Sequence, residues 1–99
     1  MKSEIFNKIL QIVSEETEIS SDFILSTNRT ADILAARSIF VNQCTKAGLP
    51  VVAIIQFIGR KKMECIANYN TICYTLRSTS PYYRKIIRTI EERLSLIIQ

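Results

Sequence analysis

The 99-residue chain contains no histidine. That absence excludes His-based general acid/base chemistry, a Ser–His or Cys–His nucleophile pair and any imidazole metal site. Asp22 and Asp32 are its only aspartates. Two glycines and two prolines are too few for a disordered linker or a turn-rich β-sandwich. The three cysteines, Cys44, Cys65 and Cys73, are odd in number and stand at no metal-like spacing. They read as small buried apolar groups in a reducing compartment. The longest apolar stretch, residues 49–58, is broken by Gln56 and is too short to span a bilayer. The opening Met1-Lys2-Ser3-Glu4 leads into a helical polar/apolar pattern, so no signal peptide is expected. No carboxylate pair has a motif around it and no nucleophile has an evident base. Neither an enzyme, a metal site nor a cofactor is expected.

Hydrophobic residues make up 47% of the chain, enough to pack one core. One domain over residues 1–99 is the only division this length allows. Apolar residues recur at helical spacing almost throughout. Ser3 can cap a first helix carrying Ile5, Phe6, Ile9, Leu10, Ile12 and Val13, which stops near residues 15–17. Ser20-Ser21-Asp22 signals a second, short helix. Residues 26–30 form a polar loop. From Ala31, the positions Ile33, Ala36, Phe40, Cys44 and Ala47 share one face, with Gly48 as the terminator. Leu49-Pro50 opens a helix with proline at its first position, and Gly59 ends it. Residues 61–76 form another helix, with Cys65, Tyr69, Ile72 and Leu76 inward. Ser80-Pro81 opens a last helix striped by Tyr83, Ile86, Ile87, Ile90, Leu94 and Ile97. The expectation is an all-α fold of about six helices.

Charge is unevenly spread. The chain is +4 overall, with a sequence pI of about 9.2. Residues 1–59 are net −1, and residues 60–99, with eight cations and three anions, are net +5. A basic half points to a polyanion, nucleic acid before anionic membrane. The last helix's apolar stripe is accounted for as core, so no membrane partner is expected. A net +4 is also ordinary for a soluble domain of this size.

The helices at 50–58 and 61–76, joined by a turn containing glycine, make a helix-turn-helix candidate over about residues 50–76. The second helix of such a unit enters the major groove. Its N-terminal end here carries Arg60, Lys61 and Lys62. The outward face continues from Lys61 through Glu64, Asn68, Thr71 and Thr75. Lys, Asn, Thr and Glu are side chains that read base edges. The same row also describes an ordinary solvated helix face, and Glu64 opposes phosphate unless it meets a cytosine amine.

The order of these features resembles the C-terminal DNA-binding domain (domain IV) of the bacterial replication initiator DnaA, a Trp-repressor-like helical fold. That family has an Ile-x-x-Asp-Leu short helix, a basic loop and a long helix opening Val-x-x-x-Arg. Here these correspond to Ile19-Ser20-Ser21-Asp22-Phe23, a loop holding Arg29, and Ile33-Leu34-Ala35-Ala36-Arg37. The family's Leu-Pro and Phe-Gly-Gly-Arg correspond to Leu49-Pro50 and Phe57-Ile58-Gly59-Arg60. Its Val-Leu-His-Ala-x-x-x-Ile corresponds to residues 65–72. The likeness spans roughly residues 9–98.

The resemblance implies double-stranded DNA as partner, a cytoplasmic bacterial, phage or mobile-element setting, and a role in replication or transcription control. It implies that Arg29 enters the minor groove and that Arg37 contacts phosphate or braces the loop. Arg60 would stand just ahead of the recognition helix. The family's Asp-His-Thr-Thr signature falls on Lys61, Lys62, Met63 and Glu64, none of which keeps it. Altered sequence specificity follows, with Asn68 further along the reading face. Arg29 is the only charge in the loop, so the footprint shifts toward the helix. The sequence holds no Gly-x-x-x-x-Gly-Lys-Ser/Thr loop, so no ATPase is implied.

Other readings stand beside these. Arg84, Lys85 and Arg88 read as a solvated face in preference to a second contact surface. Tyr82 and Tyr83 read as packing residues. The helix at 51–58 is apolar on almost every side, so it is either deeply buried or joins a homodimer or protein partner. A protein-interaction or oligomerisation module that has lost DNA binding is the alternative function.

Overall fold

The computed structural model describes residues 2–59 and 64–97, the side chains of Lys2, Glu64 and Cys65 excepted. Six helices follow one another: α1 (Lys2–Thr17), α2 (Ser21–Ile24), α3 (Ala31–Lys46), α4 (Val51–Ile58), α5 (Glu64–Thr79) and α6 (Pro81–Ser95). No strand occurs among the described residues. The fold is all-α, as the periodicity indicates.

Local chemistry sets the breaks. At the end of α1, Glu18 adopts a left-handed φ of 59°. The Thr17 hydroxyl donates back to the Val13 carbonyl, and Ser14 Oγ donates to the Ile19 carbonyl. Ser20 caps α2 by accepting from the Phe23 amide. Gly48 takes φ 82° directly after the C-cap of α3, a conformation that glycine adopts at least cost. Pro50 is the N-cap of α4, one position earlier than expected from the Leu49-Pro50 signal. Gly59 closes α4 at φ 71°. α5 runs three residues beyond the expected 76, to Thr79. It stops where Pro81 forces residue 80 out of helical geometry. Ser80 then caps α6, with Pro81 in its first turn.

α3 is the axis of the molecule. The other helices named here, α1, α2, α4 and α5, all pack on it. Its burial therefore exceeds a single stripe. Ile33, Ala35, Ala36, Ile39, Phe40, Val41 and Cys44 are buried, and so are the polar Arg37, Ser38 and Gln43. Only Ala47 of the expected stripe is exposed, because it lies at the helix end. Each buried polar side chain has a partner. Ser38 donates to the Leu34 carbonyl, and the Gln43 amide reaches Glu91 on α6.

The inward face of α5 differs from the expected one. Ile66, Tyr69 and Cys73 are buried, whereas Ile72 and Leu76 are only half-buried. The cause is the number of neighbours: α5 packs against α3, α4 and α6 together, which turns its buried face. Cys65 lies outside the described side chains. Most of the apolar surface of α4 is absorbed. Ile54, Ile55 and Ile58 are buried, and Phe57 stacks on Phe6 of α1 with ring centroids 4.5 Å apart. Val52 alone on this helix is an exposed large apolar residue, at 57%. One core cluster spans all six helices. The radius of gyration of 12.1 Å suits a single core of this length.

Two carboxylate networks tie α6 to the rest. Arg93 binds Glu15 and Glu16 of α1 at 2.7 and 2.9 Å. Glu91 accepts from Lys46 and Gln43 of α3 and from Arg77 of α5. Partial burial pushes the Glu91 carboxyl up, but these donors together outweigh it and hold the group below its ordinary 4.5. A carboxylate held low in the folded state stabilises it fully above the unfolded value. That contribution is lost as pH falls through the folded value. Glu91→Gln is therefore expected to be less stable than the parent chain at pH 7, with the gap closing as pH falls below the ordinary 4.5 and through the folded value. Urea midpoints across pH 3–7 measure this; a gap of constant size would show that ionisation of Glu91 is not its source.

Candidate nucleic-acid interface

The loop between α2 and α3 is built from its own short polar side chains. Ser26 Oγ donates to the Phe23 carbonyl at 2.7 Å and accepts from the Asn28 amide at 3.1 Å. The Asn28 side-chain oxygen accepts from the Thr30 amide at 2.9 Å. These bonds fold residues 26–30 into two consecutive side-chain-closed turns. Arg29 stands exposed at this bend.

Arg37 holds that loop from beneath. Its Nε donates to the Ile24 carbonyl at 2.7 Å. Its Nη2 donates to the Asn28 carbonyl at 2.8 Å and the Phe23 carbonyl at 3.2 Å. The residue is 0% exposed, so a phosphate has no access to it. Of the two roles open to it from the sequence, phosphate contact is therefore corrected to brace. The reason is that α2 and the loop close over the guanidinium and supply the oxygens that satisfy it.

On α5, Asn68, Thr71 and Thr75 are exposed, as the outward row requires. Both threonine hydroxyls donate back along the helix, to the carbonyls of Ala67 and Thr71. Asn70 is engaged differently: it bridges to Asn42 and Thr45 of α3. Asn68 is thus the amide of α5 that faces solvent. Arg60, Lys61, Lys62 and Met63, the core of the expected contact set, lie outside the described residues, as does the Glu64 side chain. The backbone of Glu64 begins α5.

The cations of the C-terminal half sort into separate jobs. Arg77 and Arg93 are ion-paired with Glu91 and with Glu15 and Glu16. Arg84 caps the end of α5, with Nε on the Arg77 carbonyl at 2.9 Å and Nη2 on the Ser78 carbonyl at 3.1 Å. Lys85 and Arg88 are exposed and make no ion pair among the described residues. Tyr82 is exposed and meets Tyr83 edge-on at 5.0 Å. Glu91 and Arg93 were not singled out in the sequence. Glu91 meets partners 14, 45 and 48 residues away, and Arg93 meets partners 77 and 78 away; no local pattern marks such pairs.

No group of three or more metal-ligating side chains occurs among the described residues. No described helix is long and apolar enough to cross a membrane. Cys44 and Cys73 are buried and unpaired. Burial pushes the Cys73 thiol up to about 11 and drives Cys44 in the same direction. Both are therefore neutral thiols at pH 7 and poor nucleophiles. Comparison with family models, curated proteins and solved structures gives no match for this chain.

The bracing role of Arg37 is directly testable. Arg37→Met leaves three carbonyls without their charged donor, at about 1.5–3 kcal/mol for a charge-assisted bond. A loss of roughly 3 kcal/mol in chemical denaturation is expected, with faster amide exchange across residues 26–30. Arg37→Lys should recover only part of it, since one ammonium cannot span the same oxygens. A stability change under 1 kcal/mol on Arg37→Met would remove the brace from the account.

Proposed function

We propose that the chain is a double-stranded DNA-binding module of the DnaA domain IV type, with altered sequence specificity and no ATPase. In this reading α5 lies in the major groove. Asn68 and the threonine row face the bases, and Met63 and Glu64 stand at the groove entrance. Arg60, Lys61 and Lys62 hold phosphates at the start of α5, where the helix dipole also favours an anion. Arg29 enters the minor groove, and Arg37 acts through the loop by fixing where Arg29 stands. Replication or transcription control is the role that suits such a module.

The observation that carries this reading is the exposed row Asn68, Thr71 and Thr75 on a helix that directly follows the cationic run. The polar row alone also suits a solvated face, but three consecutive cations just ahead of the helix in sequence are unfavourable at its positive dipole end without an anion. The brace beneath the Arg29 loop adds to it.

A gel shift on mixed-sequence duplex at low salt tests the reading. Binding should weaken steeply with salt, with a log–log slope near 0.9 per phosphate contacted. Lys61→Ala with Lys62→Ala should weaken all duplexes and reduce that slope by up to about 2. Arg29→Ala should weaken binding less. Absence of duplex binding at low salt, with a dimer seen by ultracentrifugation and dispersed by Val52→Glu, would replace the reading with an oligomerisation module built on α4.

A further inference from the structure

Two adjoining hollows lie on the side of α5 away from the proposed DNA face. One, of about 220 Å³, is lined by Arg77, Arg84, Ile87, Arg88 and Glu91. The other, of about 300 Å³, lies between α3 and α5 and includes Lys46, Asn70, Tyr74 and Arg77. Arg77 lines both, so the two hollows meet at its side chain as neighbouring halves of a cleft. Its lining carries four cations, Lys46, Arg77, Arg84 and Arg88, against the single carboxylate of Glu91. That carboxylate is already met by Lys46 and Arg77.

This cleft is distinct from the N-terminal end of α5. Arg77 follows Glu64 by 13 residues, about 20 Å along the axis. It lies nine residues beyond Asn68, which is about 180° round the helix. A duplex on the Asn68 row leaves Arg77 uncovered, with Tyr74 at the edge of that row, about 60° round the helix from Thr71.

The chemistry of the lining is specific. Arginine forks match phosphate oxygens. Arg84 is already fixed in place by two bonds to the end of α5, so little rotamer freedom remains for a ligand to freeze. Those bonds also occupy helix-end carbonyls that would otherwise repel an anion. Arg88 is exposed and makes no ion pair among the described residues. Tyr74, 73% exposed, lines the second hollow with Lys46 and Arg77, one turn of α5 before Arg77. An exposed aromatic ring next to a row of cations is the composition of a platform for single-stranded nucleic acid. There the ring stacks a base and the cations follow the backbone. Duplex offers phosphates but no free base face, so it leaves Tyr74 unexplained.

We propose that the cleft between α3, α5 and α6 binds a short single-stranded nucleic-acid segment, with Tyr74 stacking on a base and Arg77, Arg84 and Arg88 holding phosphates. The sequence pattern of Arg84, Lys85 and Arg88 reads as a solvated face in preference to a second contact surface, and all three are exposed; the proposal takes the second reading for Arg84 and Arg88.

Fluorescence anisotropy on the full chain with labelled oligo-dT of 15 nucleotides tests the proposal. Tyr74→Ala should weaken oligo-dT binding about tenfold, the loss expected for one stacked base. The same change should leave duplex binding within about twofold. Arg88→Glu should weaken oligo-dT binding and lower its salt slope by about 0.7 or more. Lys61→Ala with Lys62→Ala should weaken duplex binding while retaining the Tyr74-dependent oligo-dT binding, which separates this site from the one at the N-terminal end of α5. Tyr74 and Arg88 are both exposed, so these variants keep the fold, which circular dichroism checks. The proposal is overturned if oligo-dT does not bind. It is equally overturned if binding ignores Tyr74→Ala, or if that change weakens duplex and oligo-dT alike. Tripolyphosphate displacing oligo-dT equally well from the parent chain and from Tyr74→Ala, with no difference in oligo-dT affinity between them, would reduce the cleft to a phosphate site without a base and would also overturn it.

Discussion

Enclosure of α3 is the constraint on which the remaining structure depends. A helix touched by α1, α2, α4 and α5 has almost no surface left for water. Every polar group on its middle turns must therefore find a protein partner or incur the desolvation penalty unrelieved. Arg37, Ser38 and Gln43 are the three that do so. Each partner they find fixes something beyond α3. Arg37 fixes the α2–α3 loop, and Gln43 helps to fix Glu91 and with it α6. The order of the periphery is thus set from the inside. The loops and the outer helix take their positions from what the buried helix needs.

The outer helix illustrates this. α6 is strongly amphipathic, and Ile87, Ile90 and Leu94 bury its apolar side. Its polar side is held through two acidic junctions, one on Glu91 and one through Arg93 to Glu15 and Glu16. Those contacts are partly exposed, so each adds modestly to stability. Their importance lies in orientation. Arg93 fixes α6 against α1, and Glu91 fixes it against α3 and α5 beside the cleft at Arg77, Arg84 and Arg88.

Most of the helical plan was legible in the residues. Apolar spacing, the Ser20 and Ser80 caps, and Gly48 and Gly59 locate all six helices, because those signals are local. The degree of burial was not. The stripe from Ile33 to Ala47 describes a helix with one covered side, and no residue of α3 says how many neighbours it will have. The buried face of α5 was turned for the same reason. Ile66 and Cys73 replace Ile72 and Leu76 because three helices, not one, press on it. At the site, the exposure of Asn68, Thr71 and Thr75 follows from spacing. The role of Arg37 was open between phosphate and loop until the carbonyls of Phe23, Ile24 and Asn28 were found around it. Glu91 carries no local sign at all, since its partners are assembled by the fold.

The hydroxyls of α5 have one more consequence. Thr71, Thr75, Ser78 and Thr79 each turn their proton back onto the carbonyl four residues earlier. A row of such residues has already met its own donor requirement inside the helix. What it shows to the solvent is methyl groups and oxygen lone pairs. Such a surface surrenders few strong water contacts when something closes over it, so drying it is inexpensive. It also offers acceptors rather than donors, and so discriminates in favour of amino groups over carbonyls in whatever it meets.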